Sequence, residues 1–393
     1  MQPHEAAASS SRLPSLTGMR FIAAAMVFVF HGSLERLFRD FGVQEDYAFA
    51  VATAGSIGVS FFFVLSGFVL TWSARTSDTV PRFWRRRFFK IFPNHLVTFV
   101  VALVLMAWAG QRTGLTEGVA NFFLLQSWVP EFQFFNSVNG VSWSLSVELL
   151  FYLSFPLLIK VVRAIPENRL WLAAAVVVAA VLLMPLVAQV FLPDQPSMMP
   201  WGPASLTQIW FVYIFPLVRA LEFLLGMVLA RIVLTGRWIG LGLLPATLLV
   251  VAGYVASLYV PFLYGFVAAT VIPLALLIPA AATADVAGRK TWLSTRTMVW
   301  LGEISFAFYL VHRLVMTYGH LAFGRAPNGY GLAWSTPVGI AFLVAVFAVT
   351  LLLAWALYAL VERPIMRRWA SPRASGGAGG TRRAAPADTV RLS

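Results

Sequence analysis

Cysteine is absent from the 393 residues. That excludes disulfides, thiolate metal sites and a cysteine nucleophile. Charge is scarce as well: charged residues make up 11% of the chain against 59% hydrophobic, and mean hydropathy is +0.78. A soluble domain of this length carries about a quarter charged residues, so the composition specifies an integral membrane protein. Its helices must satisfy their own backbone polar groups. No His/Asp/Glu spacing resembles a metal site, and no metal or permanently bound cofactor is expected. The run Gly55–Phe68 holds no G-x-S-x-G pattern, so Ser66 is not read as a nucleophile. Internal repeats and paired interrupted helices are missing, which weakens a secondary-transporter reading. The first apolar run has no small-residue cleavage site and is read as a retained helix rather than a signal peptide. A net charge of +13 taken alone resembles a nucleic-acid binder. In a membrane protein it is read as loops facing anionic lipid, with no nucleic-acid partner.

What the chain does have is apolar length. About ten spans can be drawn, near 17–34, 55–73, 92–110, 141–162, 170–191, 207–230, 239–257, 260–282, 298–322 and 336–361. Lys and Arg cluster before span one and after spans two, four, six, eight and ten, while the alternate loops hold only Arg36, Arg39, Arg112 and Arg325. This asymmetry predicts an all-α polytopic bundle in the cell membrane with both termini cytoplasmic. The expected organisation is a tail over 1–12, a membrane domain over 13–369 and a disordered basic tail over 370–393, with no soluble domain at either end. The segment 118–135 is too short and too polar-ended for a span, and reads as interfacial or re-entrant.

Several side chains stand out against this background. Arg20 and His31 flank the first apolar stretch eleven residues apart, about 16 Å along a helix and on nearly one face. An arginine inside the bilayer costs roughly 3 kcal/mol or more, so the pair must face other helices or a cavity. A neutral His31 suits proton abstraction from a hydroxyl, or it bridges helices. Glu148 either orients His31 in a triad-like relay or forms a structural pair. Tyr152 shares its helix face, while Ser142 and Ser144 are hydrogen-bond donors nearby or packing residues. His312 lies near mid-membrane, lining the His31 cavity or serving structure; His95 and His320 have no special reading. The basic, aromatic run 81–95 holds Arg86, Arg87 and Lys90. It is a positive-inside anchor or a phosphate-binding surface. Arg219 and Glu222 are spaced to form an internal ion pair.

Six stretches in order, RFIAAAMVFVFH, GVSFFFVLSGF, FWRRRFFKIFP, SWSLSVELLFY, LGEISFAFYLVH and VERP, resemble the membrane acyltransferase 3 family over residues 13 to about 364. The opening LPSLTGMRFIAA resembles the branch that includes macrolide O-acyltransferases. The family's third-span entry often ends in P-x-Y, where this chain has Pro93, Asn94 and His95. The resemblance implies acyl transfer, commonly acetyl, from acyl-CoA as donor co-substrate to a hydroxyl of a sugar, glycan, lipid or macrolide. It identifies Arg20 and His31 with the family's R-x10-H and Glu148 with its span-four glutamate. The expected site thus has His31 and Glu148 as catalytic groups, and Arg20, Arg86, Arg87 and Lys90 on acyl-CoA. Tyr152, Ser142 and His312 are expected on the acceptor. A transporter or flippase of a lipid-linked glycan is the alternative.

Overall fold

The computed structural model describes residues 13–75, 78–197, 203–326, 329 and 331–370. Arg12, the tail over 1–12 and all but the first residue of the expected tail over 370–393 lie outside them.

Among the described residues, eleven helices of ten or more residues run α1 Pro14–Leu34, α2 Phe41–Ala50, α3 Ala54–Trp72, α4 Val80–Trp108, α5 Trp143–Ala164, α6 Leu170–Phe191, α7 Pro216–Leu234, α8 Leu243–Ser257, α9 Ala268–Val286, α10 Arg296–Ala322 and α11 Thr336–Leu357. No strand forms among the described residues. Among the described residues, eight helical stretches are long and apolar enough to cross a membrane. The other two expected spans correspond to α7, which carries Arg219, Glu222 and Arg231, and to α8, which has only 15 residues.

The chain passes back and forth between two ends of one bundle. At one end Ser15 of α1 hydrogen-bonds Asp285 at the close of α9 (2.9 and 2.6 Å), and Arg231 near the end of α7 donates to Val162 near the end of α5 (2.9 Å). At the other end Thr53, just before α3, meets Ser257 at the close of α8 (2.7 Å). Arg20 of α1 and the segment 358–367 that follows α11 line one cleft. The described chain therefore starts and finishes at the same end of the bundle, which an even number of passages requires.

Three departures from the expected spans have local causes. Helix α4 starts at Val80, about three turns earlier than expected. Pro81 in its first turn suits a helix start, so the basic run is the opening of the helix rather than a loop. The sixth span is broken at Phe215, which is extended (φ −62°, ψ 122°) ahead of Pro216. A residue before proline is pushed out of the helical region in this way. Helix α11 continues through wide turns over 358–370.

The segment between α4 and α5 folds back into the helix bundle, and is re-entrant in that sense. It forms short helices at Leu115–Phe122, Gln126–Trp128 and Phe132–Phe135. Asn121, Gln126, Ser127 and Ser142 are fully buried along it. Asn139 donates to the Leu310 carbonyl (3.0 Å), which lies halfway along α10. Helix α5 thus begins inside the bundle, and this depth sets the position of Glu148.

Helices α1, α3, α7 and α10 form the centre, and glycines let them close. A Cβ on Gly67 would lie 1.9 Å from the Phe223 carbonyl oxygen, and one on Gly226 would lie 1.9 Å from that of Val64. The backbones of α3 and α7 touch at these two points.

Candidate active site

At the end of the bundle where α1, α4 and α10 begin, a cleft of about 380 Å³ is lined by Arg20, Arg86, Lys90, Arg363 and Arg367, with Glu303 and Glu362. Glu362, from the VERP stretch, is 2% exposed and accepts from Lys90 and from Asn94 (2.6 Å). That ties the end of the chain to α4. Phe89 stacks on Trp369 (5.8 Å between centroids), holding the following turn beside it. Asp78, in the linker before α4, pairs with Arg86. The Arg86 hydrogen bond holds the Asp78 carboxyl below the usual carboxylate range, reinforced by the charges of Arg86, Arg87 and Arg75 against the opposing effect of burial.

Deeper in the bundle, Arg20 and Glu148 line a second, narrower pocket of about 50 Å³ with Ser144, Phe62, Phe306 and Tyr309. Arg20 belongs to both cavities, so they adjoin through its side chain. The far wall is Tyr309, whose hydroxyl accepts from Ser144 (2.9 Å) and donates to the Val141 carbonyl (3.1 Å).

Tyr309 leads directly to a histidine pair. His312 Nδ1 bonds the Tyr309 carbonyl (2.6 Å), and His312 Nε2 meets His31 Nδ1 (3.0 Å). His31 Nδ1 also reaches the Val27 carbonyl (3.0 Å). Carbonyls only accept, which fixes both neutral tautomers. His312 carries its proton on Nδ1 and presents the Nε2 lone pair. His31 carries its proton on Nδ1, donates it to His312 and Val27, and is left with a lone pair on Nε2. That nitrogen has no hydrogen-bond partner among the described residues, as a base requires.

Beyond the pair, Glu35 lies one turn past His31. Arg313 and Thr317 both donate to its Oε1 at 2.7 Å, and His320 Nδ1 meets its Oε2 at 3.3 Å.

The structure brings most of the sequence candidates into one column and redirects five. Tyr152 and His312, expected on the acceptor, line no described cavity: Tyr152 bonds Glu148, and His312 bonds His31 and the Tyr309 carbonyl. His31 takes its support from His312 and Val27 rather than from Glu148. Because α5 starts inside the bundle, Glu148 faces the Arg20 pocket and accepts from Tyr152 (3.3 Å). Ser142 lines no described cavity. Its hydroxyl donates to the Asn139 carbonyl (2.7 Å) and accepts from Asn121 and Gln126, so the re-entrant segment uses it up. Ser144 is the serine that faces the pocket. Arg87 is absent from the basic cleft and lies over the rings of Phe83 and Tyr152 (5.5 and 5.7 Å). Arg219 and Glu222 form the internal ion pair their spacing suggested (3.0 Å), both about 1% exposed, with Arg219 over the Phe63 ring.

Sequence reading missed Arg363 and Arg367 at the basic cleft, Tyr309 between pocket and histidines, and the role of Glu35. The VERP stretch was the available signal for the first two. Glu35 carried one as well, since a glutamate one helical turn beyond His31 is placed to support the same face.

The acyltransferase domain model (Acyl_transf_3) matches residues 13–359. The acyltransferase MdmB of Streptomyces mycarofaciens is 45% identical over 361 residues, which cover 91% of this chain and 92% of the relative. The peptidoglycan O-acetyltransferase OatA of Listeria monocytogenes is 25% identical over 344 residues, covering 79% of this chain and 50% of the relative. The O-acetyl transferase of Shigella phage Sf6 is 28% identical over 150 residues, covering 34% of this chain and 42% of the relative. No solved structure matches the chain.

Proposed function

The chain belongs to the acyltransferase family defined by that domain and is an O-acyltransferase, and from this premise we propose that it moves a short acyl group from acyl-CoA to a sugar-type or macrolide-type hydroxyl in the cell membrane. Family membership favours transfer over transport of a lipid-linked glycan.

The observation that carries the mechanism is the His31–His312 pair, in which the proton on His31 Nδ1 is committed and Nε2 is left as a base. In this reading the donor's phosphates sit among Arg20, Arg86, Lys90, Arg363 and Arg367, which match anionic oxygens in charge and geometry. The pantetheine arm threads past Arg20 and Glu148 toward Tyr309. Eleven residues of α1 separate Arg20 from His31, about 16 Å of helix, a distance an extended arm bridges. His31 Nε2 takes the proton of the acceptor hydroxyl. The hydroxyl oxygen attacks the thioester carbonyl, the C–S bond breaks, and the CoA thiolate regains a proton from the imidazolium.

The test is thiol release from acetyl-CoA and propionyl-CoA by the purified protein, across a panel of glycan and macrolide acceptors, with His31→Ala beside the wild type. Acceptor-dependent release that vanishes in a folded variant is the expected result. Substantial residual turnover in His31→Ala overturns the assignment of the base.

A further inference from the structure

We propose that the cleft at the opposite end of the bundle from the basic cluster receives the acceptor and binds it as a sugar ring. This rests on the acyl-transfer reading for the role of the ligand, but not for its chemistry. The cleft has a volume of about 440 Å³, within the roughly 300–1,000 Å³ of small-molecule sites. One wall is the re-entrant segment, which presents Gln111, Arg112, Gln133 and Asn136; the other is α10, with Arg313 and Thr317.

The chemistry of this lining matches a polyol. The amides of Gln133 and Asn136 both donate and accept, and the guanidinium of Arg112 donates. Sugar hydroxyls need both kinds of partner. Phe132 lines the same cleft and is 45% exposed, so its ring face is available to the C–H face of a pyranose. An acyl or lipid tail would leave these polar groups without partners.

Two further observations connect the cleft to the base. Arg313 directly follows His312 in α10, and Arg313 and Thr317 both bond Glu35, one turn beyond His31. The cleft wall is therefore fastened to both helices that carry the histidine pair. Val138 also lines the cleft, and it is buried with φ at 51°. A β-branched residue in the left-handed region is strained, and such strain persists where surrounding structure holds it. Here the neighbouring Asn139 is bonded to the Leu310 carbonyl, two residues before His312.

The absence of cysteine makes a direct test available. Gln133→Cys in the full-length protein gives one thiol, whose maleimide labelling is followed with a macrolide bearing an amino sugar, a glycan oligosaccharide, or acetyl-CoA present. The expected result is slower labelling with at least one sugar-bearing acceptor and an unchanged rate with acetyl-CoA. The two acceptor arms decide whether the ring comes from a macrolide or a surface glycan. Labelling unaffected by every acceptor overturns the proposal, whether or not the wild type turns over. Turnover supplies a second readout. Phe132→Ala raises acceptor KM about tenfold and leaves acetyl-CoA KM in place. An unchanged acceptor KM in this variant overturns the proposal while leaving acyl transfer intact.

Discussion

In the proposed mechanism His312 is a positioning residue, acting through its contact with His31. It accepts the His31 Nδ1 proton, and its own Nδ1–H is held by the Tyr309 carbonyl. Without it, His31 keeps only the Val27 carbonyl as an orienting contact, and an imidazolium formed during turnover loses a neighbouring lone pair. His312→Ala is therefore expected to lower kcat on the order of 10²-fold, with both substrate KM values little changed. His312→Gln offers an amide oxygen where Nε2 stood and restores part of that loss. Equal kcat values for the alanine and glutamine variants, each as folded as the wild type, would show that the contact contributes only packing. Glu222 gives a contrast at the same scale. It is buried against Arg219 and away from the clefts at the two ends of the bundle. Glu222→Ala leaves a buried guanidinium without its carboxylate, so a loss of about 3–5 kcal/mol of stability is expected. Thermal unfolding in detergent checks this, with the acetyl-CoA KM of the surviving folded protein unchanged.

At the scale of helices, the contact between α3 and α7 has no room for a side chain. Gly67→Ala must push the two backbones apart, which costs about 1–3 kcal/mol as other overpacking does and is read as a lower unfolding midpoint. The α3–α4 linker depends on charge instead. Asp78 has a depressed pKa because of Arg86. Its contribution is thus fully present above its unfolded pKa of about 3.9, and is lost as pH falls through the lower folded value. A partly exposed pair contributes at most about 1 kcal/mol. Asp78→Asn should accordingly lower the unfolding midpoint slightly and by a constant amount between pH 5 and 8, with the difference closing in stronger acid. The helices themselves were legible in the sequence, since apolar length and alternating Lys/Arg content are local properties. Depth was not. That Glu148 faces Arg20 depends on α5 starting inside the bundle, which follows from Asn139 reaching an α10 carbonyl 171 residues away. The partnership of His31 with His312 likewise spans 281 residues. Residue type and motif identified both histidines as candidates, but only tertiary packing decides which nitrogen faces which. Ser142 and Ser144 show the same limit, because two residues of helix separate a side chain used by a loop from one facing a pocket.

At the scale of the whole molecule, the two clefts lie at opposite ends of one column. Lys90 lines the basic cleft and Met106 the polar one, both on α4. The sixteen residues between them rise about 24 Å, close to the roughly 30 Å of a bilayer's hydrocarbon core. The histidine pair lies between, bonded on one side to Tyr309 of the Arg20–Glu148 pocket and fastened on the other, through Glu35, to the wall of the polar cleft. Such an arrangement lets donor and acceptor enter from different sides of the membrane without sharing a path. Transfer in sealed vesicles of uniform orientation should then run only when acetyl-CoA is on the side of Arg20, Lys90 and Arg363. Because that cleft gathers five cationic side chains, acetyl-CoA KM should also rise with salt as charge attraction is screened. Acceptor KM should respond less, since the polar cleft holds two arginines, Arg112 and Arg313, with Glu117 opposing them. Equal rates with acetyl-CoA on either face of intact vesicles would mean that the donor reaches His31 by another route. The basic cleft would then be a lipid-facing anchor, as its sequence alone also allowed.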